Sequence, residues 1–472
     1  MRQSFKLLIL LITLNVFSQV NAQIELENKV VDFATLMPLE SASIYIKNTT
    51  IGTISNTDGK FLLVVPEKHA NDSLVISSIG YKSFKTPIKD FDATMEIFLE
   101  EDIASLDEVL LVAENRPKTG NEIMLRALEE LPNTLADSAY MQKGFIRHKE
   151  RNKREFKWLI ESAITLYDGG YTTSNAKSLK VNVDEVRKSY DLRDVDSLLV
   201  HTSYLKSRSK TKSSALRVKN LKRSDVSKKT LVKSIKWNDT RFNGLLSLFN
   251  GKLNLVRNSN KKNALFSENV IRNHFFDLDT VLVENDRKIY KIKISKGLDY
   301  VDLKTKGIFN NGYQANGWIY IYWDNFAIKK VEYELTAASK AQRSRSKTLF
   351  DTYLNHKLVI NFMEYNDRMY TNYIYYETPK LVNVGKQTNK PQTQEEKETR
   401  YYSTIQEIVF TEIVNDKDEV ANALQNTWDP DLFSPKPYNK EFWKNYNTLL
   451  ESEEEEQLIE DLTQRSSLFE KE

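Results

Sequence analysis

Ala42-Ser43-Ile44-Tyr45-Ile46, Gly52-Thr53-Ile54-Ser55-Asn56-Thr57-Asp58-Gly59-Lys60-Phe61 and Leu74-Val75-Ile76-Ser77-Ser78-Ile79-Gly80-Tyr81 decide the fold of the first part of this chain. Each is a short apolar run closed by turn residues. Ile44 and Ile46 share one face of their strand, with Ser43, Tyr45 and Lys47 on the other, a period of two. Asn56-Thr57-Asp58-Gly59 joins two runs. Gly59 supplies a left-handed residue free of Cβ strain, and Asp58 is expected to hydrogen-bond the turn backbone. A calcium or ligand loop there is the alternative, but hairpin geometry already accounts for the residues. Leu74–Ile79 is apolar enough for a central strand, and Gly80 allows close backbone approach before Tyr81 packs on the sandwich. Lys29–Asp32, Tyr81–Ile88, Met95–Leu99 and Val109–Val112 bring residues 23–112 to a β-sandwich of about seven strands.

A chain of 472 residues exceeds one ordinary core, so further domains are expected. Aromatic residues make up 11% and Gly is scarce, which favours β structure with well-filled faces. The net charge of +3 creates no field that steers the chain to nucleic acid. The absence of cysteine excludes disulfides, thiol catalysis and cysteine-ligated metal. Residues 1–22 read as a signal peptide. Arg2 and Lys6 precede the apolar run Leu7–Val16, and Val20-Asn21-Ala22 predicts cleavage after Ala22. The run is shorter than the roughly 18 apolar residues of a membrane span. An exported protein, in the periplasm or at the outer-membrane periphery, is expected.

Residues 113–120 form a polar linker. Thr119 and Glu122 fit a capping box, with Met124, Ala127, Leu128 and Leu131 on one helical face and Pro132 as the stop. Gly144-Phe145-Ile146-Arg147 and Trp158-Leu159-Ile160-Glu161-Ser162-Ala163 read as paired strands. Asn285-Asp286, Asp324-Asn325 and Asn366-Asp367 each sit between two apolar runs, and these residues populate left-handed turn positions. In Trp318–Trp323 both faces are apolar or amphipathic, so the strand is buried on both sides or lines a cavity. Residues 121–436 are therefore expected to form an antiparallel β-rich domain, a curved sheet or half barrel with flanking helices. The hairpins are too few and too irregular for a membrane barrel.

Residues 205–236 carry twelve Lys or Arg against Asp225, with no aromatic residue for base stacking. Attraction to anionic lipid or lipopolysaccharide is one reading; a solvated loop or exposed strand face is the plainer one. Residues 385–399 read as a mobile loop. In residues 437–472, Phe442, Trp443, Tyr446, Leu449 and Leu450 are at helix spacing. Ser452 and Glu455 offer a second capping box, Glu453–Glu456 suit a helix start, and Leu458, Ile459 and Leu462 form a packing stripe. Trp428-Asp429 and Phe442-Trp443 offer either a partner surface or, more simply, internal docking.

Val30-Val31-Asp32, Pro38-Leu39, Ala42-Ser43-Ile44, Gly52-Thr53, Asn56–Phe61, Ile79-Gly80-Tyr81 and Leu106-Asp107-Glu108-Val109 together resemble the carboxypeptidase-D regulatory-like domain. That family is a transthyretin- or immunoglobulin-like sandwich of exported Gram-negative proteins, found ahead of many TonB-dependent receptors. The family usually has Gly where Asn28 stands, and Asn is expected to hold the same left-handed turn. The helix, Gly-Phe-x-Arg and Glu-x-Ala order resembles the region after the same sandwich in a family of envelope proteins, which commonly have an aromatic at Ile146. The resemblance implies a non-catalytic module.

Catalytic signatures do not appear. His69, His148, His201, His274 and His356 are never within four residues of one another, and none has Glu three positions on. No Gly-x-Ser-x-Gly elbow or phosphate-cradling loop occurs. No catalytic, cofactor-binding or metal residue is assigned, and no cofactor is expected. The expected role is a non-enzymatic envelope protein that binds an outer-membrane receptor or another envelope protein. A carrier of lipid or another hydrophobic molecule, with a cavity behind Trp318–Tyr333, is the alternative. A hydrolase using two carboxylates is a third.

Overall fold

The computed structural model describes residues 23–104, 116–152, 155–173, 178–190, 197–208, 221–251, 256–257, 274–297, 312–350, 355–381, 401–433 and 436–465. The expected signal peptide, the Val109–Val112 strand and the 385–399 loop lie outside these residues, as does the middle of the basic segment.

Seven strands form the expected sandwich: β1 (Gln23–Asp32), β2 (Ser43–Ile46), β3 (Gly52–Ile54), β4 (Lys60–Pro66), β5 (Ser73–Ser77), β6 (Phe84–Pro87) and β7 (Ile97–Leu99). They make a three-stranded sheet, β4-β1-β7, and a four-stranded sheet, β3-β2-β5-β6, in which β5 is internal as its apolarity implies. Leu26, Val30, Ile44, Ile46, Phe61, Leu63, Leu74 and Ile76 close the core between them. Each such side chain contributes about 1.5–3 kcal/mol on burial. Gly59 takes φ +74°, and a Cβ there would lie 2.4 Å from the Val30 carbonyl, so the turn requires glycine. Asn56, not Asp58, organises this turn: its Oδ1 accepts from the Asp58 and Lys60 amides at 3.0 and 2.9 Å. Asn28 is no turn either. It lies in β1 opposite Phe61, and its Nδ2 donates to the Asp92 and Met95 carbonyls at 3.1 and 2.9 Å.

A two-residue strand, β8 (Ile103–Ala104), leads to helix α1 (Gly120–Thr134), which has the Thr119/Glu122 capping box. The helix passes Pro132 and ends at Thr134, because the ring removes one amide donor without blocking the two residues that follow. Then come β9 (Tyr140–Arg151), β10 (Phe156–Asp168), β11 (Leu179–Tyr190), α2 (Ser197–Arg208), α3 (Lys228–Asn243) and α4 (Leu245–Phe249). Of the basic segment, the described residues 205–208 and 228–236 are thus helical, with a short 3-10 turn at Arg223–Asp225 between non-helical residues. Ser227 caps α3, and Leu231 and Ile235 anchor it in the main core while its lysines lie along the rest of the helix. The remaining elements are β12 (His274–Glu284), β13 (Arg287–Gly297), β14 (Tyr313–Tyr322), β15 (Ile328–Ala337), α5 (Lys340–Phe350), β16 (Asn355–Tyr365), β17 (Arg368–Leu381), β18 (Tyr401–Val414), α6 (Lys417–Ala423), α7 (Lys440–Lys444) and α8 (Glu453–Arg465).

The strands from β8 onward form one open antiparallel sheet in the order β11-β10-β9-β18-β17-β16-β15-β14-β13-β12-β8. Two of its hairpins use the expected chemistry. Asn285 and Asp286 have φ of 51° and 63°, and Asn366 and Asp367 have 49° and 59°. The third differs: Phe326, at φ 58°, is the left-handed residue after a longer turn, and Asp324 and Asn325 instead accept from the amides of Asn325 and Ala327.

Period two sends neighbours to opposite faces of this sheet. Ile146, Ile374 and Ile408 join Ile123, Met124, Leu248 and Phe249 under the helices. Phe145, Tyr373 and Val409, one residue away, join Trp443, Leu449 and Ile54 of the sandwich. The sandwich and the C-terminal segment therefore cover the face opposite α1 and α4. Along β14, Ile319 and Ile321 are fully buried, and Tyr320 and Tyr322 are nearly so, giving the doubly buried strand.

Both edges of the sheet are occupied. On β11, the Val183 amide donates to the Asp429 carbonyl at 2.8 Å, and Lys436 Nζ donates to the Val183 carbonyl and, at 2.8 Å, to that of Asp184. On β12, Ala104 and Ile103 pair with Val281 and Leu282, and Asn121 Oδ1 accepts from the Phe276 amide at 3.1 Å.

Candidate functional site

The sandwich presents a rigid apolar face at the end of β1. Asp32, 3% exposed, is the hub of the loop that follows. Its Oδ1 accepts from the Ala34 and Thr35 amides at 2.9 and 2.6 Å and from Thr35 Oγ1 at 2.9 Å; its Oδ2 accepts from the Tyr81 hydroxyl at 2.8 Å. The Leu36 amide donates to the Asp32 carbonyl, and the Asp32 amide donates to that of Met37, both at 2.9 Å. The Thr35 amide and the Tyr81 hydroxyl hold the Asp32 carboxyl below its ordinary value, while burial and Asp32 push the Tyr81 hydroxyl up.

This order is spent on holding apolar side chains out in solvent. Phe33 is 59% exposed, Leu36 66%, Met37 64% and Phe98 43%. Phe33 and Phe98 meet edge to face, with ring centroids 6.4 Å apart. Leu36 adopts φ 59°, a conformation that costs a branched side chain about 1–2 kcal/mol. The loop is thus strained at Leu36, held by hydrogen bonds, and displays hydrophobic groups. The sequence reading passed over these residues. The signal available was apolar Phe33, Leu36 and Met37 between a strand and Pro38, and Phe98 out of phase between inward-facing Ile97 and Leu99.

The Gly-Phe-x-Arg and Glu-x-Ala strands meet as expected, and their polar residues pair. Gly144 faces Ile164, and Arg147 faces Glu161. Arg187 Nε reaches the second oxygen of Glu161 at 2.7 Å. Burial pushes the Glu161 carboxyl up, and Arg147 and Arg187 more than reverse it, leaving the carboxyl below its ordinary value. A carboxylate held ionised between two guanidinium groups has no proton to give as a general acid.

At the other end of the sheet a small cleft of about 10 Å³ is lined by Leu135, Tyr140, Asp168, Arg257, Phe362 and Met369, among others. Arg257 Nε donates to Asp168 Oδ2 at 2.9 Å, and Asp168 is the sole carboxylate among the described lining residues. The two-carboxylate geometry of glycoside hydrolysis therefore does not occur in this cleft. The five histidines are dispersed: His69 meets Asp72, His148 Asp239, His201 Ser234, His274 Tyr333 and His356 Thr378. Among the described residues no three His, Asp or Glu side chains converge in a way that would hold a metal ion. Behind Trp318–Tyr333, where a carrier needs a hollow, Ile319, Ile321 and Val331 are fully buried in the main hydrophobic cluster. Trp428 and Trp443 pack internally, against Tyr167 and Phe145.

Residues 27–111 match the family model described as CarboxypepD_reg-like domain. The opening sandwich is a CarboxypepD_reg-like domain. That family is non-catalytic. Over 117 residues the chain is 34% identical to the TonB-dependent receptor SusC of Bacteroides thetaiotaomicron, a match spanning 24% of this chain and 11% of the receptor. Among solved structures, a LolA superfamily protein from Nitrosomonas europaea aligns over 64% of this chain and 97% of its own, with 10% identity and a TM-score of 0.20. Among the described residues no helix is long and apolar enough to cross a membrane.

Proposed function

We propose that this chain is a non-catalytic envelope protein that works by contact, with its CarboxypepD_reg-like domain as the docking module. The observation that carries this reading is the apolar face of Phe33, Leu36, Met37 and Phe98 on that domain. The partner it suits is an outer-membrane receptor or another envelope protein with a complementary apolar surface. The similarity to a TonB-dependent receptor and the leader expected at residues 1–22 support export to the periplasm or the outer-membrane periphery. The lysines and arginines of residues 205–236 would add attraction to anionic lipid or lipopolysaccharide.

The test is a photo-crosslinking residue at position 36 of the full chain, expressed in cells that are then fractionated. An adduct with an envelope protein, lost on Phe33→Asp, is the expected result. Recovery of the protein in the cytosol, or an adduct indifferent to Phe33→Asp, would refute the reading.

A further inference from the structure

Between Asn447 and Glu455 the chain bonds the sandwich and the large sheet by turns. Asn447 Oδ1 accepts from the Val64 amide at 2.7 Å, and its Nδ2 donates to the Val64 carbonyl at 3.0 Å, so one side chain acts as a strand partner on the edge of β4. Two residues on, the Leu449 carbonyl accepts from Arg147 Nη2 of the sheet at 2.8 Å. Glu451 touches both bodies. Its carbonyl accepts from Asn56 Nδ2, and its carboxylate from Arg147 Nη2, each at 2.8 Å. The Glu453 amide donates to Asp58 Oδ2 at 2.7 Å, and its carboxylate meets Lys60 at 3.0 Å. Glu454 and Glu455 return to the sheet, at Arg151 and Lys149. The flanks hold fast as well. The Tyr446 hydroxyl donates to the Gly144 carbonyl at 2.9 Å, Trp443 packs on Phe145, and Leu458 and Leu462 pack on Phe156 and Leu159.

Phe145, Arg147, Lys149 and Arg151 are alternate residues of β9 and so share one face. Acidic Glu451, Glu454 and Glu455 are matched to its cations. The sandwich side of the segment is mostly neutral hydrogen bonding, and the sheet side is mostly charge. A second, separate junction joins the two bodies: the Gly80 amide donates to the Val283 carbonyl at 2.9 Å, and Ser77 Oγ to Glu284 at 3.2 Å.

We propose that residues 436–465 are a latch that couples the sandwich to the large sheet, so that loosening its ionic grip on β9 releases β4 as well. The latch is independent of whatever docks on the sandwich. Its mark is transmission: a change that touches only the sheet is felt at Val64, while the Gly80 junction stays closed.

Amide hydrogen exchange on the full chain reads this directly. Glu455→Gln alters a residue that meets Lys149 and Arg151 of the sheet. It is expected to speed exchange of the Val64 amide about tenfold and leave the Gly80 amide unchanged. Glu454→Gln, at an exposed residue paired with Arg151 of the sheet, should show the same pattern to a smaller degree. That measurement stands if Glu455→Gln fails to fold. Unchanged exchange at Val64 in both experiments, or equal acceleration at Val64 and Gly80, would overturn the latch.

Discussion

Arg147 and Glu161 face one another across β9 and β10, with Arg147 Nε 2.7 Å from Glu161 Oε1 and side chains 2% and 0% exposed. A pair this deeply buried gains little net stability over an apolar pair, yet breaking it strands a charge. Arg147→Met leaves Glu161 short of one partner and Glu451 of another. It is expected to cost about 3–5 kcal/mol. Lys143→Ala, which removes the exposed pair with Glu412 on the same strand, is expected to cost at most about 1 kcal/mol. Urea midpoints of the two variants give the comparison, and equal losses would contradict it.

Acid should weaken the same region. Burial pushes Glu455 up, and Lys149, Arg147 and Arg151 outweigh it, so Glu455, like Glu161, titrates below its ordinary value. An unfolded Glu titrates near about 4.3, so the unfolded chain takes up protons first as pH falls. The stability these groups contribute is complete above that value and is lost as pH drops toward their folded values. The urea midpoint of the unaltered protein should fall from about pH 5 to about pH 3, and Glu161→Gln should shrink that fall.

Leu36 gives a prediction of the opposite sign. Its φ of 59° is strained for Leu and free for Gly, and its side chain is 66% exposed. Leu36→Gly should therefore stabilise the fold by about 0.5–1 kcal/mol while removing a hydrophobic group from the docking face. A higher melting temperature together with weaker partner crosslinking through a probe at Met37 is the expected outcome. A lower melting temperature would mean that Leu36 packs.

Gly59→Ala forces a Cβ to within 2.4 Å of the Val30 carbonyl at φ +74°. Backbone cannot yield there cheaply, so the loss should exceed the roughly 1–2 kcal/mol of the left-handed conformation alone. Asn366→Gly, at φ 49° in the β16–β17 turn, should be near neutral. Chemical denaturation of both variants separates glycine required by space from glycine preferred by torsion.

The sandwich was legible because its period-two strands and its Gly59 turn are local signals. The β9–β10 pair was legible in the same way, but not its ionic content. That Arg147 meets Glu161 depends on register, and that Glu451 joins them depends on a contact 304 residues away in the chain. Asn28 and Asp58 were misread for a related reason. Both are turn-forming types, and tertiary partners at Met95 and Glu453 drew them elsewhere. The expected helix through Phe442–Leu450 shrank to Lys440–Lys444 because Tyr446, Asn447 and Leu449 are each held by bonds or packing outside it. The docking face escaped notice because exposed Phe33 and Leu36 look, in one dimension, like any apolar residue near a strand.

The ten long strands β9 to β18 of the open sheet present two rows of backbone donors and acceptors at β11 and β12, and each row is partly covered. Lys436 and Asp429 sit on β11; Asn121 and the two residues of β8 sit on β12. A chain cut between Val414 and Asp429 that shed everything beyond would bare β11 as a template for the next molecule. Such a product should associate more readily than the full chain, which light scattering of the two would show.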